Sequence, residues 1–333
     1  FGYDIHAFSI IDRDPRYDER DTLLQTVEEI NCRHDMIYPD SSNFLQRLDC
    51  LVKAHDAPVA TISYYIHDML SQSISEHGYK VAISGTGADE LFSGYYDHYG
   101  FWLAHMSDHP DFDKYVSQWR AGYGSTVRNP YLKDPMTFVN NKSERGHIYL
   151  NRQNFNDLLK SPLEENFNEV NFTSDILRNR MLNELTEEVV PTILEEDDLN
   201  SMRWSVENRS PFLDRELAEF AYSIPTEHLI GEGMAKFTLR QAVKDYLPDE
   251  VRLDKRKRGF NASIETFLDL NDSETKEYLL SSSKIFDVVD RNKMIEFMDN
   301  SFAENSYSKF LFSFISARLF MDSNGSSSEA QTH

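Results

Sequence analysis

Val81-Ala82-Ile83-Ser84-Gly85-Thr86-Gly87-Ala88-Asp89-Glu90-Leu91-Phe92-Ser93-Gly94-Tyr95 is the stretch whose reading decides the fold. A short apolar run breaks into small residues and glycines, then into two adjacent carboxylates and an apolar, aromatic segment. That order is how a buried strand delivers a tight loop at its carboxyl end, where open α/β sheets hold ligands. Gly85 and Gly87 let the backbone approach a phosphate or adenylate, and Asp89 and Glu90 offer the hard oxygen ligands that magnesium requires. A plain strand-to-helix turn with a solvated acidic cap accounts for the same residues.

Upstream, Ile5–Ile11 and Met36–Tyr38 read as strands, and residues 22–30, 44–54 and 62–74 carry apolar residues at helical spacing. Gly78 sits where a helix C-cap belongs. Strand, helix, strand, helix, helix, strand is the grammar of an α/β fold, a parallel sheet with helices on both faces. Residues 1–99 form its nucleotide-binding part, within a single domain expected to span 1–322. Residues 100–172 are rich in aromatics, Asn, Asp and His, with Pro110, Pro130, Pro135 and Pro162, and read as an insertion or lid.

The remainder, 173–322, is helical in pattern. Thr173 or Ser174 caps a helix that ends at Pro191, and a second helix spans Asp198–Asn208. Asp214 caps a helix through Tyr222, and further helices are expected over 235–247, 264–280 and 293–320. The basic run Lys255–Phe260 is either a solvated face or a polyphosphate contact, and residues 323–333 read as a disordered tail.

Composition narrows the function classes. A formal net charge of −22 argues against nucleic acid as a partner, because phosphate backbones are bound by basic surface. Cys32 and Cys50 lack metal-type spacing, which favours a reducing cytoplasm, and no apolar run has the length of a membrane span.

Two distant segments add chemistry to the opening stretch. Lys236 lies in the first turn of an expected helix, where the dipole favours an anion, and Arg240 shares its face four residues on. A lysine there can neutralise charge developing on a pyrophosphate leaving group. Glu207-Asn208-Arg209-Ser210-Pro211-Phe212-Leu213-Asp214 is the other; a structural role beside the site suits its Glu207, Arg209 and Asp214.

With Ser-Gly-x-Gly-x-Asp-Glu (Ser84–Glu90), Glu-x-Arg-x-Pro-Phe-Leu-Asp (Glu207–Asp214) and Lys-x-x-Leu-Arg (Lys236–Arg240) in this order, the chain resembles the synthetase domain of glutamine-hydrolysing asparagine synthetases, a family that includes β-lactam synthetases and lasso-peptide cyclases. The resemblance implies a sheet of the PP-loop ATPase type and an enzyme that uses ATP to adenylate a carboxylate, then lets an amine attack. It implies ATP and Mg2+ as cofactors, with Asp89 on magnesium, Ser84, Gly85, Gly87 and Glu90 against the nucleotide, and Lys236, Thr86 and Arg240 as the catalytic set. The partners it implies are a small carboxylate acceptor and ammonia from an upstream or separate glutaminase domain; a homodimer is compatible with it.

Three departures qualify the match. Those synthetases carry a Ser-Gly-Gly-x-Asp-Ser phosphate loop before the position matching Phe1, so that segment is expected upstream, where it would cradle the β- and γ-phosphates. Thr86 stands where asparagine-forming enzymes have a glutamate, and a threonine cannot act as a general base near neutral pH. Residues 59–65 lack the arginine that grips the α-carboxylate of aspartate, and a bidentate clamp is hard to replace. The acceptor is therefore expected to be another acid, such as a sugar uronate. Asparagine synthesis proper, an intramolecular cyclase and a catalytically silent binding protein of the same fold are the alternatives.

Overall fold

The first strands form near the predicted places, the second starting three residues before Met36 and ending short of Tyr38: His6–Ile10 (β1), Arg20–Ile30 (α1) and Arg33–Ile37 (β2), with β1 and β2 parallel in a register from His6↔Arg33 to Ile10↔Ile37. A crossover helix is what a parallel pair needs. The computed structural model describes residues 4–11, 20–148, 152–164, 166–255, 262–299 and 305–325. Phe44–His55 (α2) and Ile62–Glu76 (α3) follow, and Gly78 at φ +83° turns the chain out of α3. Then come Val81–Ile83 (β3), Ala88–Phe92 (α4), Tyr96–His105 (α5), Phe112–Ala121 (α6), Thr137–Asn140 (α7) and Arg152–Asn156 (α8).

Three expectations for the next segment are corrected. Helix Ile176–Thr186 (α9) is capped by Asp175, whose Oδ1 accepts from the Arg178 amide at 3.1 Å, rather than by Thr173 or Ser174. Pro191 does not end it but lies in the first turn of Val189–Arg203 (α10), where a missing N–H costs nothing. That helix stops at Arg203, Ser205 adopts φ 57°, and Glu207–Arg209 becomes a strand (β4) instead of helix. β4 is needed as ladder partner to β3, with Val81↔Glu207, Ala82↔Asn208 and Ile83↔Arg209 in parallel register. Tertiary pairing overrides the local helical pattern.

The C-terminal helices are shorter than their patterns. Arg215–Ser223 (α11) forms as expected, capped by Asp214. Phe237–Ala242 (α12) replaces a longer helix, because Lys236 at φ 56° delays its start, and Asp249–Arg252 (α13) follows. One 3-10 turn at Ile264–Thr266 precedes Ser273–Leu280 (α14), whose Asp272 cap interrupts the predicted single helix. Arg291–Asp299 (α15) and Asn305–Gly325 (α16) take the place of another. α16 carries the chain past Ser323, where the tail was expected to begin; residues 326–333 and 256–260 of the basic run lie outside the described residues.

The sheet is also revised. Among the described residues the strands make two separate two-stranded parallel sheets, β1–β2 and β3–β4, rather than one. Side chains bridge them: His6 Nδ1 lies 3.1 Å from the Tyr79 hydroxyl, and the Phe8 and Tyr79 rings meet edge to face. Nor is β3 a buried strand, since Val81 is 42% and Ile83 76% exposed. With Glu207 and Arg209, their register partners, they form an open face.

Helices carry most of the core. Phe44, Leu48 and Tyr65 of α2 and α3 bury against Ile264, Phe267 and the α16 residues Phe312 and Ile315. A second cluster joins Phe101, Trp102 and Phe138 to Leu177 and Met181 of α9, so much of the 100–172 stretch packs into the interior. Behind it lies a buried ionic cluster. His98 Nε2 is 2.5 Å from Glu184 Oε2, His147 Nε2 is 3.1 Å from Asp97 Oδ2, and Arg180 spans Glu184, Glu169 and Glu188. Burial would raise the Asp97 carboxyl, but the His147 hydrogen bond and the charges of His98 and Arg180 hold it well below the usual range. No helix among the described residues is long and apolar enough to cross a membrane.

Candidate adenylation site

The loop after β3 is placed by the β3–β4 ladder, which continues as the Ser84 amide donates to the Arg209 carbonyl at 2.9 Å. This sets Ser84 beside Ser210, their hydroxyls 3.1 Å apart, and Ser84 Oγ donates to Thr86 Oγ1 at 3.2 Å. Three neutral hydroxyls thus line the loop. Gly87 is required by the fold: it sits at φ +95°, and a Cβ there would come within 2.4 Å of Leu213 Cδ2. Gly85 differs, since a Cβ on it would meet nothing within 4 Å. Its lack of a side chain keeps the loop's outer surface low.

The two carboxylates of α4 part company. Glu90 turns inward, 2% exposed, and its Oε1 accepts from the Tyr95 hydroxyl at 2.5 Å. Burial, then the charges of Glu90 and Asp89, push that phenol far up, so it stays protonated and keeps donating. Asp89 turns toward Lys236 instead, its Oδ1 2.7 Å from Lys236 Nζ, with both side chains about a quarter exposed (23% and 25%).

That contact depends on how the neighbouring backbone and side chains present Lys236. Lys236 is the N-cap of α12 in a left-handed conformation, a costly one for a residue with a Cβ, and such strain gathers at functional sites. Leu239 of α12 packs with Leu91 and Phe92 of α4, docking the two short helices. Arg240 does not reach the pair: its Nε donates to the Ala235 carbonyl at 2.8 Å and its Nη1 to the Arg252 carbonyl, tying down the turn that presents Lys236. Gly94 forms the floor. A Cβ on it would lie 1.6 Å from Asp89 Oδ1 and 2.4 Å from Lys236 Cε, and its carbonyl accepts from the buried Tyr123 hydroxyl at 3.3 Å. Gly94-Tyr95 closes the opening stretch, so the signal for Gly94 was present as a glycine after a short helix; Tyr123 had none.

Glu207 and Arg209 stand on the exposed face of β4, paired to each other at 2.9 Å, and Asn208 points the other way to Asp197 Oδ2 at 3.3 Å. Asp214 accepts from the Leu217 amide at 3.1 Å as the cap of α11. These residues frame the loop, in keeping with a structural role.

The asparagine synthase family model matches residues 2–322. The chain belongs to the asparagine synthase family. It is 22% identical over 322 residues to a Bacillus subtilis (strain 168) protein named asparagine synthetase [glutamine-hydrolyzing] 1, a match that covers 92% of this chain and 50% of that one. The chain therefore spans about half the length of the curated relative it matches. Within the family frame, Asp89 suits a divalent cation on one ground: a cation, the Lys236 ammonium, already sits on its Oδ1. Glu90, committed to Tyr95, faces away from that position.

Proposed function

We propose that the protein is an ATP-dependent amide-forming ligase that adenylates a carboxylate and passes glutamine-derived ammonia to it, with an acceptor other than aspartate. The observation that carries this reading is the Asp89–Lys236 pair at the mouth of a glycine loop on the carboxyl end of β3. A carboxylate for a cation and an ammonium for phosphate oxygens, held side by side, are what displacement at an α-phosphate calls for. Magnesium bound at Asp89 supplies charge neutralisation on the pyrophosphate.

This chain's own residues do the rest. Lys236 offers its ammonium to negative charge that grows on the leaving pyrophosphate, on a turn fixed beforehand by Arg240, so little reorganisation accompanies the step. Ser84, Thr86 and Ser210 offer hydroxyls that donate to or accept from adenylate oxygens without a charge of their own. None of the three can take a proton near neutral pH, so the proton shed as neutral ammonia forms the amide bond leaves to solvent or with the departing AMP. Thr86 in place of a glutamate and the lack of an arginine in residues 59–65 both favour an acid without the α-amino-acid group, such as a sugar uronate.

Exchange of labelled pyrophosphate into ATP tests the reading. Asp89→Ala is expected to abolish exchange and Lys236→Ala to slow it by about 10²–10³-fold, the scale for removing one preorganised charge donor. Unimpaired exchange in both variants would refute it.

A further inference from the structure

The 100–172 stretch touches the site at Gly94. Tyr123, in the 3-10 turn Tyr123–Thr126, is buried, and its hydroxyl donates to the Gly94 carbonyl at 3.3 Å. Burial first, then the neighbouring Tyr96, Asp89 and Asp97, push that phenol well up, so it remains a donor. The turn is built to hold it there. The Tyr123 ring stacks on Tyr99 at 5.3 Å and leans on Tyr96 at 4.9 Å, both on α5. The Tyr96 hydroxyl donates to Thr126 Oγ1 at 3.4 Å, and Thr126 Oγ1 donates in turn to the Tyr123 carbonyl at 2.8 Å. A Cβ on Gly124 would lie 2.4 Å from the Trp119 ring, so a glycine is what lets the turn close on α6. Gly94 passes the restraint on, because its amide donates to the Asp89 carbonyl at 2.9 Å.

From this chain of contacts, and resting on the adenylation reading above, we propose that Tyr123 is a positioning residue for the reaction, fixing the Gly94 peptide and through it the backbone that carries Asp89. Arg240 does the same for Lys236 from the other side, through the Ala235 and Arg252 carbonyls. Neither residue of this backing pair belongs to the acidic loop itself. Without the Tyr123 hydroxyl the Gly94 carbonyl loses its buried donor, and the peptide turns to find another. A small displacement of a charged group is felt most where charge develops, so the loss falls on kcat rather than on the hold for ATP.

Two measurements on the intact protein test this, each on Tyr123→Phe and on Tyr99→Phe, which removes a hydroxyl from the buried ring stacked on Tyr123. The first is exchange of labelled pyrophosphate into ATP, with a mixture of aspartate and glucuronate as the acids. Tyr123→Phe is expected to lower kcat about tenfold, with KM for ATP within about twofold, and Tyr99→Phe to leave both unchanged. The second is the amide spectrum of 15N-labelled protein. Phenylalanine keeps the ring, so movement of the Tyr95 amide nitrogen, which shares a peptide group with the Gly94 carbonyl, reports loss of the hydroxyl. That signal should move in Tyr123→Phe and stay in Tyr99→Phe. A kcat within about twofold of wild type in Tyr123→Phe, an equal loss in Tyr99→Phe, or a Tyr95 signal that does not move would overturn the proposal. Movement of the signal in Tyr123→Phe alone, with no exchange by wild type, would instead refute the adenylation reading and leave the hold on Gly94 standing.

Discussion

Replacing Gly94 with alanine is the smallest change that acts on the heart of the site. The added Cβ would stand 1.6 Å from Asp89 Oδ1, 2.5 Å from Asp89 Cγ and 2.4 Å from Lys236 Cε. The backbone itself is not the obstacle, because Gly94 is not among the residues at positive φ. Since the Gly94 amide is bonded to the Asp89 carbonyl, the two backbones cannot drift apart cheaply, and relief must come from rotating the carboxylate and retracting the lysine. Overpacking of this kind costs about 1–3 kcal/mol of stability. The lost ion pair adds only about 0.5 kcal/mol, being partly solvated. Catalysis should suffer more: a misplaced charge donor forfeits about 3–4 kcal/mol of transition-state stabilisation, or about 10²–10³-fold in rate. Pyrophosphate exchange measured beside urea unfolding separates the two effects. Gly94→Ala that exchanges within about threefold of wild type would refute the floor role, since the predicted loss is far larger.

Two further outcomes concern the frame. Asp214→Ala should lower stability by about 1 kcal/mol in urea unfolding, the usual worth of an N-cap, and leave pyrophosphate exchange unchanged; a tenfold drop in exchange would place Asp214 in the site instead. The buried ionic cluster predicts a pH optimum of stability. Burial would lower His98, but Glu184 and Asp97 raise it above its ordinary 6.5, so its contribution is full below that value and is lost as pH rises through the raised one. Asp97 is depressed, so its contribution is present above the usual carboxylate range and is lost as pH falls through its lowered value. Unfolding free energy should fall on both sides, and His98→Gln should flatten the alkaline side; an unchanged alkaline limb would contradict the assignment.

What was legible in the sequence tracks how local the determining interaction is. The β1–α1–β2 unit, α2, α3 with Gly78, and the Asp214 cap of α11 are set by periodicity and by caps within a few residues, and these formed close to their expected bounds. β4 was missed because Glu207–Arg209 is a strand only by virtue of its partner β3, far away in the chain. The exposure of Ile83 was missed for a related reason: an apolar run reads as buried wherever it lies, and burial depends on which face finds a neighbour. In the site, motif spacing brought out Asp89 and Lys236, which the fold sets 2.7 Å apart. The inward turn of Glu90 follows from Tyr95, and the backing role of Arg240 from the Ala235 and Arg252 carbonyls, neither of which a motif records. Gly94 carries no chemistry, and only the close approach above it shows why a side chain is excluded.

Release of AMP tests the central claim most directly. The intact protein, given Mg-ATP, ammonia and a panel of carboxylic acids that includes aspartate and sugar uronates, is predicted to form AMP and pyrophosphate in an acid-dependent manner, with an acid other than aspartate preferred. Acid-dependent AMP with aspartate as the preferred substrate would contradict the acceptor inferred from Thr86, and no acid-dependent AMP from any member of the panel would contradict the ligase reading itself.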